Sequence, residues 1–557
     1  MGVVFAVLAT FAAQSRAATI TVTSNGDDTT TGDSTVSLRE AINSINAASD
    51  SGSDVTANRT GTYGVNDMIV FDIPGTGVQT IAPTSALPAT TKPVTIDGTT
   101  QPGTGPVRVF LSGTGTGVAA SGLSLEAKTT VKGLAIGNFS GSGIDLTSLC
   151  IFGFCYLTSD QSTIQGDDIG TDATGNVAAP DGTGISDTTN SVTILDNVIS
   201  GNSGAGIALT GSSSVVEGNL VGTNAAGSAA LPNSATSGAI SVGGVDNVVG
   251  GTAAPDRNVI SGNAGNGILV STASAAVQGN YIGTDVTGSR AIPNAGDGIH
   301  LTVAGTQIIS GQPSAPQRIW FNTGFGIRNE MDTTRFTANS IHANHAGGIA
   351  VGGSPATGSL SISPDRKTVT VKYSNGSPGG LMEAEVFDNP GQKACPGQGQ
   401  VFEGGATVGS SSAGKGTATV VLASPLNPGD GVTATLTDNT KGTSPFVCLA
   451  GGVPVPNSFT FSLKALSKGK IRVKINSPAA GTYNVKATTK VNGTKITYGT
   501  RTTSIGHAGK KQIKIKPSTA AKDALNAGAT LKVSVTVTFH PAGGTPKTEH
   551  KSVTVHP

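Results

Sequence analysis

NVISGNAGNGILV, residues 258–270, repeats NVISGNSGAGIAL of residues 197–209 almost letter for letter. Two weaker copies follow, RIWFNTGFGIRN at 318–329 and SIHANHAGGIAV at 340–351. Aligned, they share an isoleucine, an asparagine three residues on, and a closing glycine-isoleucine, which places asparagines at Asn202, Asn263, Asn322 and Asn344. Counting partial copies, the closing isoleucines are Ile185, Ile207, Ile240, Ile268, Ile299, Ile327 and Ile349, separated by 22, 33, 28, 31, 28 and 22 residues. The shortest spacing suits one coil of a parallel β-helix, three short strands with inward apolar residues joined by turns.

A second repeated stretch lies in the gaps of 33 and 31 residues, EGNLVGTNAAGSAALPN at 217–233 and QGNYIGTDVTGSRAIPN at 278–294, with a further copy upstream, QGDDIGTDATGNVAAPD at 165–181. It reads as a loop inserted into alternate coils, with Gly222 and Gly283 admitting positive φ and Pro232 and Pro293 fixing the return. Its charges drift while its shape is kept, so the reason for repetition is architectural. A helical reading fails on the glycines, each of which costs about 1 kcal/mol inside a helix. The asparagines fit turns, where they form a hydrogen-bonded ladder from coil to coil.

Composition agrees with many short strands. The 557 residues include 79 glycines and only 12% charged residues, and the 36% hydrophobic content lies in short Val/Ile runs, too much for a disordered chain. Residues 1–17 read as a secretory signal peptide, lacking the usual basic start, and no later run reaches the roughly 18 apolar residues of a spanning helix. A secreted or envelope-associated monomer is expected, with no transmembrane segment in the mature chain.

Of the three pairings open to four cysteines, the two local ones, Cys150 with Cys155 and Cys395 with Cys448, are favoured. Net charge is +1, but residues 452–557 hold 17 Lys/Arg against two acids, Asp523 and Glu549, about +15. The remaining 18 basic and 32 acidic residues give about −14, so the tail is a separate basic unit.

SLREAINSI, from residue 37, carries a capping box, Ser37 with Glu40, and puts Leu38, Ala41, Ile42 and Ile45 on one face. A helix over 37–48 is predicted to cover the open end of the solenoid. With VSLREA, VTIDGTTQPG at 94–103 and the three loop copies, residues 18 to about 350 resemble the right-handed parallel β-helix proteins of bacterial secreted and surface proteins, many of which begin with Cys-Ser-Leu-Arg-Glu-Ala. Val36 stands here where that motif often has cysteine, so no cap disulfide is implied. The stretch EAEVFDNPGQKACPGQGQVFEGGATV resembles the immunoglobulin-like module that often follows such helices.

The fold class is therefore all-β: a right-handed parallel β-helix over 18–353, an Ig-like β-sandwich over 354–452 and a second, basic Ig-like or fibronectin-like sandwich over 453–557. In the last, Ile471, Val473 and Ile475, and then Leu531, Val533, Val535, Val537 and Phe539, alternate as half-buried strands do.

Pectate lyases and polygalacturonases share the β-helix, so an enzyme is the alternative function. Asp167 and Asp168 match the Gly-Asp-Asp element of the hydrolases, which work with paired aspartates; His300 and Arg318 are partial echoes of their other elements. Against this, Asp167 occupies the slot of Asn219 and Asn280 in sister loops. Calcium is the one ion the loop carboxylates Asp172, Asp285 and Asp297 could take; no other metal or cofactor is expected. His342 and His345 lack further ligands at metal spacing.

Trp320, Phe321 and Phe325 gather rare aromatics that stack on sugar rings or close the solenoid. Arg472, Lys474, Lys514 and Lys516 alternate with buried isoleucines and point to a polysaccharide or anionic envelope polymer as partner. The absence of interleaved aromatics in that tail disfavours nucleic acid. The leading expectation is a structural, adhesive or polysaccharide-binding protein without catalysis.

Overall fold

The computed structural model describes residues 17–116, 120–151, 154–305, 308–311, 317–331, 334–392 and 397–557, with backbone alone at 148–151, 154–158 and 308. The expected leader lies outside these residues save for Ala17, as does Cys395. From Thr19 to Val351 the chain winds through three sheets of 12, 10 and 9 strands. Within these sheets pairing is parallel except at one edge, where Arg59–Thr60 runs antiparallel to Thr19–Val22; a separate antiparallel hairpin pairs Ser148–Ile151 with Phe154–Thr158. This is a parallel β-helix. One coil contributes Val215–Glu217 to the first sheet, Leu220–Val221 to the second and Ile240–Val242 to the third.

All seven closing isoleucines, from Ile185 to Ile349, are register partners in the third sheet. Each points into one apolar core that runs unbroken from Ile20 to Ile349. β-branched residues suit this position because each packs on its counterpart above and below in an extended backbone.

The asparagines turn two of the three corners. Between the second and third sheets, Gly201 and Gly262 have φ of +76° and +75° immediately before Asn202 and Asn263; Phe321 and Ala343 take +63° and +54° before Asn322 and Asn344. A left-handed residue followed by a buried Asn is thus the corner itself, and glycine adopts it without the penalty of about 1–2 kcal/mol that a Cβ adds.

The predicted ladder exists but has more rungs than the four expected asparagines. Asn202 Nδ2 donates to Asn233 Oδ1 at 2.8 Å, Asn233 to Asn263 at 3.1 Å, Asn263 to Asn294 at 2.9 Å, Asn294 to Asn322 at 2.9 Å and Asn322 to Asn344 at 2.9 Å. Asn233 and Asn294 are the last residues of the inserted loops, so a coil with the loop and a coil without it deliver the same rung. A second ladder at the preceding corner joins Asp167, Asn197, Asn219, Asn258, Asn280, Gln317 and Asn339.

Each inserted loop is a small hairpin, closed by the bridges Thr171 to Ala178, Thr223 to Ala230 and Thr284 to Ala291. The loops stack across the coil between them, Ala225 N–H on Gly175 O at 2.8 Å and Val286 N–H on Gly227 O at 2.9 Å. Asp172, Asn224 and Asp285 each use Oδ1 to accept amides of their own hairpin. An oxygen is needed there and a charge is not, which is why that charge drifts.

Both ends of the core are covered. Leu38–Ala47 is helical, with the Ser37 and Glu40 capping box formed and Leu38, Ala41, Ile42 and Ile45 buried. At the far end residues 397–446 close the solenoid. Gly399 forms an antiparallel bridge with Ile341, Phe446 packs on the core, and Gln398 Oε1 accepts the Asn344 N–H at 2.9 Å as a last rung. Glu385 accepts the Ala338 N–H with both oxygens at 3.0 Å, and burial pushes its carboxyl up to about 7.

Gln398→Ala leaves the Asn344 N–H and C=O without partners, an expected loss of about 1–3 kcal/mol. Hydrogen exchange should then quicken at Asn322 and Asn344 and not at Asn202; uniform protection would refute the capping role.

Two antiparallel two-sheet units follow. The first sets Thr357–Ile362, Thr368–Ser374 and Gly416–Val421 against a sheet built on Leu381–Asn389 and Gly431–Asp438. The second sets Thr460–Ala465, Ile471–Ser477 and Gly509–Ile515 against four strands between Gly481 and Val555. Each has its own apolar core. In the second, the alternating residues expected to face inward from Ile471 to Ile475 and from Leu531 to Phe539 are buried.

Candidate functional site

The hydrolase-like residues are dispersed. Asp167 is fully buried as the first rung of the second ladder, its Oδ1 accepting the Leu134 N–H at 2.8 Å. Asp168 points to the opposite side of the backbone and lies buried, and that burial together with the charge of Asp172 pushes it up to about 7. His300 is on the third sheet, paired with Glu330 at 2.9 Å, whereas Arg318 is on the second. Successive strand residues face opposite ways and the sheets face different directions, so these four side chains do not converge. Asp297 pairs with Arg328 at 2.6 Å, and among the described residues no three His, Cys, Asp or Glu side chains gather as metal ligands.

Two other groupings do form. On the outer side of the second sheet, Arg257 lies 4.1 Å over the Tyr281 ring and Arg318 lies 5.1 Å from both Tyr281 and Trp320. Trp320 meets His342 edge-on at 5.3 Å, and Phe321 lies 6.5 Å from His342. Phe325 stands apart on the third sheet under Arg328. The strip therefore joins Trp320 and Phe321 to Arg257, Tyr281 and His342, which sequence alone did not connect because they belong to different coils. Burial lowers the basicity of His342, and its Nδ1 has no hydrogen-bond partner.

The second grouping is the outer face of the three-stranded sheet in the last unit. Lys464, Arg472 and Lys514 are aligned across its strands, as are Ser462, Lys474 and Gln512. Alternation drives Ile471, Val473 and Ile475 inward and their neighbours out. An open groove of about 650 Å³ on this face is lined by Lys474, Lys510, Lys511 and Lys551. Arg472 Nε is buried without a hydrogen-bond partner. Lys516 lies just beyond the strand, exposed. The IKIK alternation at 513–516 extends back to Lys510, a signal that would have found that lysine; Lys551 comes from a strand of the other sheet.

No family model matches the chain, and no curated protein matches it. Among solved structures, a tetra-tandem repeat from the extending region of a large adhesion protein aligns at 15% identity over 36% of this chain and 50% of that one, TM-score 0.21. The chain thus spans about half the length of that repeat segment. A two-domain fibronectin type-III segment of chicken tenascin aligns at 11% identity over 35% of this chain and 97% of that one, TM-score 0.21. Likenesses this slight carry no argument about fold or function. The class rests on the strand stacks alone: a parallel β-helix repeat protein with two antiparallel β units. Among the described residues no helix is long and apolar enough to cross a membrane.

Proposed function

We propose that this chain is a secreted or cell-surface β-helix protein, structural or adhesive, that holds polysaccharide or an anionic envelope polymer without turning it over. The observation that carries this reading is the one-signed outer face of the last unit, where Lys464, Arg472, Lys474, Lys510 and Lys514 form no ion pair among the described residues. A surface of one sign on an otherwise acidic chain attracts polyanions at long range. In this reading the two terminal units are Ig-like modules. Cystines fit an oxidising setting: Cys150 and Cys155 are register partners across a hairpin, and Cys448 is disulfide-bonded.

The test exposes the full chain to acidic and neutral polysaccharides, with and without calcium, reading retention on the solid, reducing ends and the absorbance of unsaturated products. Salt-sensitive retention of acidic polymers without product is expected, weakened about tenfold by Lys464→Ser, Lys474→Ser and Lys514→Ser together. Product formation, or unchanged retention by the triple variant, would overturn the proposal. Non-reducing peptide maps should link Cys150 to Cys155 and Cys395 to Cys448.

A further inference from the structure

The solenoid carries a surface of different chemistry from the lysine face. Along the second sheet, Arg257, Tyr281, the pair Arg318 and Trp320 on one strand, and His342 occupy four successive coils, a rise of about 4.8 Å separating each coil from the next. The strip is bounded at one end by the 397–400 segment, where Ser340 Oγ donates to Gln400 O. Its aromatic rings and guanidinium groups are partly exposed, and Tyr281 is buried.

Phe321 adds a second observation. It holds φ +63° in the slot where Gly201, Gly262 and Ala343 stand in sister coils, so a bulky ring is kept where the other coils have glycine or a single methyl. A ring retained against backbone preference, beside the only tryptophan of the chain, points to use of its face.

Aromatic rings offer apolar faces to the C–H side of a sugar, while guanidinium groups hold carboxylates with paired N–H donors. Stacking of Arg257 and Arg318 on Tyr281, with Arg257 Nε donating to Gly279 O at 3.1 Å and Arg318 Nη1 to Gly288 O at 2.9 Å, fixes their planes and leaves the remaining N–H donors at their edges. We propose that this strip binds a carboxylated saccharide, a chain of uronate-type sugars lying along the solenoid axis with rings on Trp320 and Phe321 and carboxylates toward Arg257 and Arg318. The site is separate from the lysine face, so the chain would hold two stretches of acidic polymer at once and act as a cross-link.

Because Trp320 is the sole tryptophan, its fluorescence reads this site directly in the full-length protein. Titration with oligogalacturonate should give a saturable change that a neutral oligosaccharide of equal length does not. Phe321→Gly should weaken that binding about three- to tenfold while melting no lower than the parent, since glycine holds the same left-handed slot at Gly201 and Gly262. Arg257→Gln should weaken it as well, and serves if Phe321→Gly fails to fold. The lysine triple variant should keep the fluorescence response, so failure of the lysine-face reading shows separately. No response to oligogalacturonate, an equal response to the neutral sugar, or unchanged affinity in a folded Phe321→Gly or Arg257→Gln protein would sink the proposal.

Discussion

Asp181→Asn is expected to melt above the parent protein at pH 7 and level with it near pH 3.5. Asp181 stands where the first ladder has asparagine, at the end of the first inserted loop. Its Oδ1 accepts the Phe139 N–H at 2.9 Å, but its Oδ2 and the Oδ1 of Asn202, the next rung, are both buried without partners. Every later rung donates an amide proton across that gap. Two facing acceptors need a proton, and a neutral carboxyl supplies it where the amide would.

Burial accordingly holds Asp181 well above its ordinary value of 3.8. Asp167, which heads the second ladder, is alike: burial, then the neighbouring charge of Asp168, raises it, and its Oδ2 is also unpartnered.

The sign follows. A folded-state pKa above the unfolded one means the stabilising form is complete below about pH 3.9 and is lost as pH rises, at about 1.4 kcal/mol per pH unit for each carboxyl until the folded value is passed. Asparagine needs no proton, so the double variant Asp167→Asn and Asp181→Asn should flatten the decline in melting temperature between pH 4 and pH 7. An unchanged slope would show that both carboxylates are ionised and otherwise satisfied.

Asn263→Ala should be among the most damaging single changes in the solenoid, about 3–5 kcal/mol. Its carboxamide donates to Asn294 Oδ1 at 2.9 Å and Val221 O at 3.1 Å, and accepts from Asn233 at 3.1 Å. Truncation leaves the buried Asn233 N–H without a partner and takes one of two hydrogen bonds from each of Asn294 Oδ1, Val221 O and Asn233 Nδ2. Because coils interact mainly with neighbours, the loss should appear as premature melting around this coil. Asn263→Asp gives the sharper test: it should resemble the parent at pH 4, where the carboxyl carries a proton like the ladder heads, and fail at pH 7.5. Equal loss at both values would mean that shape rather than donor capacity matters at the rung. Asn224→Ala, on an exposed hairpin, should cost no more than about 1 kcal/mol.

The sequence by itself determined the coil. Ile185 and Ile207, like Ile327 and Ile349, are 22 residues apart, the chain length of three strands and three corners, and a β-branched residue at that spacing has one place to go. It determined the cap as well, since Ser37, Glu40 and the apolar face from Leu38 to Ile45 are local and depend on nothing distant. The alternation that turns Lys474 and Lys514 outward is equally local.

What only the tertiary structure decided is which distant residues share a rung or a face. Asn233 closes an inserted loop and Asn202 a plain turn, yet they are successive rungs, because coils of different length are brought into register by their isoleucines. The same stacking makes Arg257, Tyr281, Arg318 and His342 neighbours, and brings Gln398 and Phe446 onto the last coil. It also separates His300 from Arg318, which are close in sequence and lie on different sheets. Side-chain direction within a strand is set by adjacent residues; contact between coils is set by register summed over some 20 to 40 residues, which no short stretch encodes.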